Sequence, residues 1–231
     1  MEKLIALVTG ANRGIGFEVT RQLANRGYIV FLGSRNLKNG QAAVRELNFS
    51  PEQVIALELD VTSGTSVENA KSEIQKKFNH LDVIINNAAI HYDDWETVTT
   101  VDLNIVHEAL ETNTYGAIRI INTMLSLLLQ SKHGRIVNVS SGAGSLATMS
   151  PDTPAYNLSK VALNALTKMY AEKLRPNDIL VNSVCPGWTF TDMGKGGRPI
   201  SEGAASVVWA VTIHDRGPTG GFFRDGKAID W

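Results

Sequence analysis

Thr9-Gly10-Ala11-Asn12-Arg13-Gly14-Ile15-Gly16 follows the apolar run Leu4–Val8 and precedes a stretch of helical period reaching about Arg26. A strand that feeds a helix through a glycine-rich turn makes a phosphate cradle. Gly10 permits the tight turn, Gly14 lets the backbone approach a pyrophosphate, and Gly16 allows close helix packing. Asn12, Arg13 and Ile15 complete the loop, and the helix N-terminus turns N–H groups and a positive dipole end toward the anion. The spacing here is G-x-x-x-G-x-G.

Outward from this loop the same order repeats. Short apolar runs at 28–33, 54–59, 81–85, 135–139, 179–185 and 221–223 alternate with helical periods at 37–48, 65–78, 103–130, 155–174 and 201–213. Strands this apolar, without strict alternation, are buried on both faces, as in a parallel sheet covered by helices. The expectation is an α/β, Rossmann-type doubly wound fold of about seven parallel strands with helices on both faces. No linker, charge block or repeat interrupts the chain, so residues 1–231 are expected to form one domain. Two stretches without regular period, 142–154 and 187–200, follow apolar strands and are the candidate substrate loops, since ligands bind beyond the carboxyl ends of such strands.

Composition narrows the function. The 231 residues carry 22 Lys plus Arg against 23 Asp plus Glu, a net charge of −1, which gives no electrostatic case for nucleic acid or an anionic membrane. The single cysteine, Cys185, allows no internal disulfide and fits a reducing compartment. No apolar run approaches the roughly 18 residues of a membrane helix, and no small-residue cleavage site follows the apolar start. A soluble, cytoplasmic chain is expected. The five histidines lack ligand spacing, so no metal site is expected and surface positions are expected for all of them.

The end of the second strand chooses the nucleotide. An acid there would hold a ribose 2′-hydroxyl, but the chain has Gly33-Ser34-Arg35-Asn36. Arg35 can meet a 2′-phosphate with its guanidinium fork, and Arg13 can approach the same phosphate from the glycine loop. NADPH is therefore the expected cofactor. Asp60 after the third strand suits the exocyclic amine of adenine, with Val61 beside it. Asn86-Asn87-Ala88-Ala89 ends the fourth strand, where Asn87 can hold sheet and ribose.

Tyr156 and Lys160 lie four apart near a helix start and so share a face. A nearby ammonium and a cationic nicotinamide ring favour phenolate and bring the Tyr toward acid–base work near neutrality. Ser141, at the end of the fifth strand, can donate to a carbonyl oxygen that Tyr156 protonates. Asn113 is a polar residue amid apolar helical turns, suited to hold a water linking Lys160 to solvent. Walls of a substrate pocket are expected from Ala143, His91, Tyr92, Trp95, Trp188 and Met193, with Trp188 the strongest candidate.

Over essentially its whole length the chain resembles the short-chain dehydrogenase/reductase family, in 9–16, Asp60, Asn86-Asn87-Ala88, Asn113, Ser141, Tyr156 with Lys160, and Pro186-Gly187 followed by Thr191. The resemblance implies a catalytic tetrad of Asn113, Ser141, Tyr156 and Lys160, with Tyr156 as proton donor and Lys160 also holding the nicotinamide ribose. It implies further that Pro186, Gly187 and Thr191 bind the carboxamide. Cys185-Pro186-Gly187-Trp188, Thr191-Asp192-Met193 and Gly217-Pro218-Thr219-Gly220 are similar to the carbonyl-reductase branch, which uses NADPH on aldehydes, ketones and quinones. Reduction of 3-oxoacyl thioesters or of a sugar ketone is the alternative reaction, and an NADPH-binding sensor without turnover, or a purely structural oligomer, the alternatives of another class.

Two departures from the family are visible. Ala89 stands where Gly is usual, which would cost about 1 kcal/mol if the position needs positive φ. Only the 14 residues from Gly142 to Ala155 separate Ser141 from Tyr156, the length of oligomeric members rather than of monomeric carbonyl reductases. Helices 103–130 and 155–174 have apolar surface to spare, and a homodimer or homotetramer is expected.

Overall fold

A computed structural model describes residues 3–191 and 196–231 of the chain. Strands β1 (Ile5–Val8), β2 (Ile29–Ser34), β3 (Val54–Glu58), β4 (Val83–Asn86), β5 (Arg135–Val139), β6 (Leu180–Val184) and β7 (Phe222–Arg224) form a parallel sheet. A two-residue β8 (Lys227–Ala228) closes the edge antiparallel to β7, one strand more than the seven expected from sequence. The order β3-β2-β1-β4-β5-β6-β7-β8 reverses direction between β1 and β4, and the crevice beyond that switch is where such sheets bind ligands.

Alternation along each strand loads both faces. Ala6 and Val8 of β1, Val30 and Leu32 of β2, and Val83 and Ile85 of β4 enter one core, together with α1 (Gly14–Asn25), α2 (Leu37–Leu47) and α7 (Ile200–Thr212). Ile5, Leu7, Phe31 and Ile84 enter the other, against α3 (Gly64–Gln75), α5 (Gly116–Leu128) and α6 (Pro154–Leu174). With successive side chains pointing to opposite faces, a strand buried on both sides must be apolar throughout.

The segment expected as one helix over 103–130 is divided. Helix α4 (Leu103–Leu110) passes through a wide π-turn, Glu111–Tyr115, before α5 begins. The Gly116 N–H reaches back to the Glu111 carbonyl, five residues away. Such turns cluster at functional sites, and this one carries Asn113.

Thr153, the residue before α6, has φ 51° and ψ 48°. A β-branched residue in the left-handed region is strained. Asn tolerates that conformation better, so Thr153→Asn is expected to stabilise the fold by about 1 kcal/mol and raise Tm by roughly 2–4 °C. An unchanged or lower melting temperature counts against this account of the turn. Ala89 is not among the described positive-φ residues, so the Ala there is not strained.

Candidate active site

The glycine loop is clamped to β4. Asn87 Nδ2 donates to the carbonyls of Thr9 (2.9 Å) and Gly10 (3.0 Å), and Thr9 Oγ1 accepts from the N–H groups of Asn87 and Ala88 (2.9 Å each). Gly10, at φ 61°, comes so close to Ala88 that a Cβ would lie 2.8 Å from its Cα. At Gly16 a Cβ would lie 2.5 Å from Asn87 Nδ2. The first and third glycines thus bring strand, loop and helix together, and Gly14, at φ 59°, sits beside Thr191.

A cleft of about 950 Å³ opens above the switch point. At one end are Arg13, Ser34, Arg35 and Asn39; along it lie Gly10, Asn12, Gly14, Ile15, Asp60, Val61, Thr62 and Asn87; at the other end stand Tyr156, Lys160, Pro186 and Thr191. Volume, backbone N–H groups at the α1 N-terminus and two arginines at one end suit an extended phosphorylated dinucleotide. Asp60 Oδ1 accepts from the N–H and hydroxyl of Thr62 (2.9 and 2.7 Å), which fixes the turn at that wall.

Among the catalytic candidates, the Ser141 side chain lies near enough to the Tyr156 phenol to favour its ionised form. Ser141 Oγ also accepts from the Ala143 N–H (3.2 Å) in a short 3-10 turn. Lys160, 2% exposed, donates to the Val139 carbonyl (2.9 Å), with Nζ 5.4 Å from the Tyr156 ring centroid. Burial pushes the Tyr156 phenol up to about 12 against the pull of Ser141, while the Cys185 thiol and the Asp93 carboxylate add to the rise. Burial also draws the Lys160 ammonium down to about 8. Among the protein's own groups, loss of hydration outweighs the pull of Ser141 on the phenol; the sequence expectation counted the cationic nicotinamide ring as well. A phenol kept protonated at pH 7 is the form that donates a proton.

Asn113 is placed differently from expectation. Its Nδ2 donates to the Ile90 carbonyl (3.0 Å) and Ser159 Oγ (2.9 Å), and its Oδ1 accepts from the Ile90 N–H (2.8 Å). The amide thus ties the loop after β4, at Ile90, to α6, at Ser159, and braces the cleft wall. Trp188 is 70% exposed and packs over Gly197, and Trp95 is 66% exposed. Neither they nor Ser141, Ala143 and Gly187 belong to the described cleft wall. Met193 lies outside the described residues.

His91, expected both among the surface histidines and as a candidate pocket wall, lines the cleft together with Tyr92, and its ring stacks on Tyr156 at 4.3 Å between centroids. Asp93, 1% exposed, caps α6 by accepting from the N–H groups of Ala155 (2.8 Å) and Tyr156 (3.2 Å). Ser34, Asn39, Ile90, Glu108, Glu111 and Thr112 are further wall residues that no motif marked. A cap supplied from more than sixty residues upstream leaves no local pattern. Among the described residues there is no metal-binding cluster of three or more His, Cys, Asp or Glu, and no helix is long and apolar enough to cross a membrane.

The family described as short chain dehydrogenase matches residues 4–199. The chain is 31% identical to (-)-isopiperitenone reductase of Mentha piperita, with 97% of each covered. It is also 31% identical to carbonyl reductase (NADPH) 1 of Bos taurus, with 98% of each covered. That alignment runs over 278 positions, more than the 231 residues here, so the bovine protein carries segments this chain lacks. The NADPH-bound carbonyl reductase from chicken fatty liver superposes with a TM-score of 0.89 at 25% identity, covering all of both chains.

Proposed function

The chain belongs to the short-chain dehydrogenase family, and from that premise we propose that it is an NADPH-dependent carbonyl reductase acting on aldehydes and ketones. The observation that carries the reading is the meeting of Tyr156 and Lys160, with Ser141 near the phenol, at one end of a cleft whose other end holds Arg13 and Arg35. The bovine and chicken relatives, whose names state NADPH and carbonyl reduction, support it. Residues 1–231 act as a single dinucleotide-binding and catalytic domain.

The residues present fit the cofactor. The glycine loop and α1 N-terminus would hold the pyrophosphate, Arg35 and Arg13 the 2′-phosphate, Asp60 and Val61 the adenine, and Asn87, Lys160, Pro186, Gly187 and Thr191 the nicotinamide half. When bound, the nicotinamide supplies the hydride. Tyr156 donates its proton to the substrate oxygen, and Ser141 donates a hydrogen bond to the same atom. Positioned donors of this kind stabilise the negative charge that develops on the oxygen. Lys160, held against the Val139 carbonyl, keeps a cation near the phenol as the proton leaves. The exposed apolar residues Leu103 and Tyr115 around α4, with Leu158 and Met169 of α6, support a homodimer or homotetramer.

The direct test follows NADPH and NADH oxidation with a panel of small ketones and aldehydes. Turnover with NADPH is expected; tight NADPH binding without turnover across the panel would sink the reading. Arg35→Asp replaces the guanidinium with a charge that repels a 2′-phosphate. It is expected to lower kcat/KM for NADPH by about 10²-fold, on the order of a lost charged hydrogen bond, while sparing NADH. Equal losses with both cofactors would remove Arg35 from 2′-phosphate recognition.

A further inference from the structure

Three observations meet at His91. Its ring lies against the Tyr156 ring with centroids 4.3 Å apart and planes 29° apart. Its Nε2 is buried without a hydrogen-bond partner and stands 3.9 Å from Asp93 Oδ1. The other oxygen of the same carboxylate grips the first turn of α6, at the N–H groups of Ala155 and Tyr156 itself. One buried carboxylate therefore fixes the backbone of Tyr156 and faces the imidazole that covers its side chain.

We propose that His91 is a positioning residue for Tyr156: an imidazole set beside Asp93 and packed on the phenol ring, which fixes the direction in which the hydroxyl points. The inference deepens the reductase reading and rests on Tyr156 being its proton donor. An aromatic ring offers its face to another ring at a definite distance and tilt, so the stack restricts rotation of the phenol. It also keeps water from one side of it. Proton transfer needs its donor within hydrogen-bond reach of the substrate oxygen, and a phenol free to swing spends less time there. The ionisable and polar groups facing Tyr156 are Lys160 on its own helix, Ser141 after β5, Cys185 after β6, and His91 with Asp93 in the loop after β4.

The test compares His91→Ala with His91→Phe in the full chain. Ala removes the stack and is expected to lower kcat by about tenfold or more with the KM for NADPH little changed, as misplacement of a reacting group does. Phe restores a ring and is expected to recover most of kcat, a rescue that a purely structural role of the imidazole would not produce. A second readout needs no turnover: the phenolate ultraviolet band assigned to Tyr156 by difference from Tyr156→Phe. Water admitted by His91→Ala relieves the desolvation that raises the phenol, so the band is expected at lower pH in Ala than in wild type or Phe. Wild-type kcat and an unmoved band in the Ala variant would overturn the proposal, as would a Phe variant no better than Ala. If the wild-type chain shows no NADPH-dependent turnover, the reductase reading fails and the phenolate comparison still decides the role of His91.

Discussion

Tyr156→Phe is expected to lower kcat for carbonyl reduction by about 10²–10⁴-fold while NADPH still binds within roughly threefold of wild type. The substitution is narrow. Phe keeps the ring volume, the stack on His91 and the helix-capping bond from the Tyr156 N–H to Asp93, and loses only the hydroxyl. Because enclosure holds the phenol up near 12, the hydroxyl carries its proton throughout the neutral range. Steady-state rates and a fluorescence titration with NADPH check the two halves separately. A Phe variant that keeps a tenth or more of the activity would transfer the proton-donor role elsewhere and leave the cleft as a binding site alone.

Lys160→Met is expected to reduce kcat by about 10²-fold or more, because the cation beside the phenol goes. The same change makes a distinctive stability prediction. Lys160 is buried and its ammonium is drawn down to about 8, below the ordinary value of 10.5. Between those values the unfolded chain binds more protons at this site than the folded one, so wild-type stability gains as pH rises from about 8 to about 10.5. The penalty for the buried charge is present in full below pH 8. Met has no such linkage, so wild type should gain on the variant as pH rises through this window. Offsetting this, Met leaves the Val139 carbonyl without its donor, a loss of about 1–3 kcal/mol that does not vary with pH. Urea unfolding of both proteins at pH 7 and pH 10 checks the sign. A difference independent of pH would mean that burial does not depress the lysine.

Much of the architecture was legible because its causes are local. The run Ile5–Val8 followed by three glycines can bury both strand faces and turn tightly into a helix only in a βα unit, and the repetition of that unit implies the parallel sheet. Arg35 in place of an acid at the end of β2 likewise carries its chemistry in its identity. The eighth strand was missed because two exposed residues, Lys227 and Ala228, have no apolar pattern and are ordered by pairing with β7. The break at Glu111–Tyr115 was missed because the apolar period continues across a π-turn with little interruption.

By itself the sequence determined the doubly wound fold, the position of the glycine cradle and the residues that bear the proposed chemistry. These follow from period, backbone freedom and side-chain type, all properties of neighbouring residues. Tertiary structure alone decided that Asn113 braces the Ile90 backbone, that Trp188 is largely exposed, and that Asp93 caps the helix carrying Tyr156 while His91 covers its ring. It also decided that burial outweighs neighbouring groups at Tyr156. Hydrogen-bond partners and desolvation depend on what the fold brings within a few ångströms, and residues 93 and 155 become neighbours only when β4, β5 and α6 have packed together.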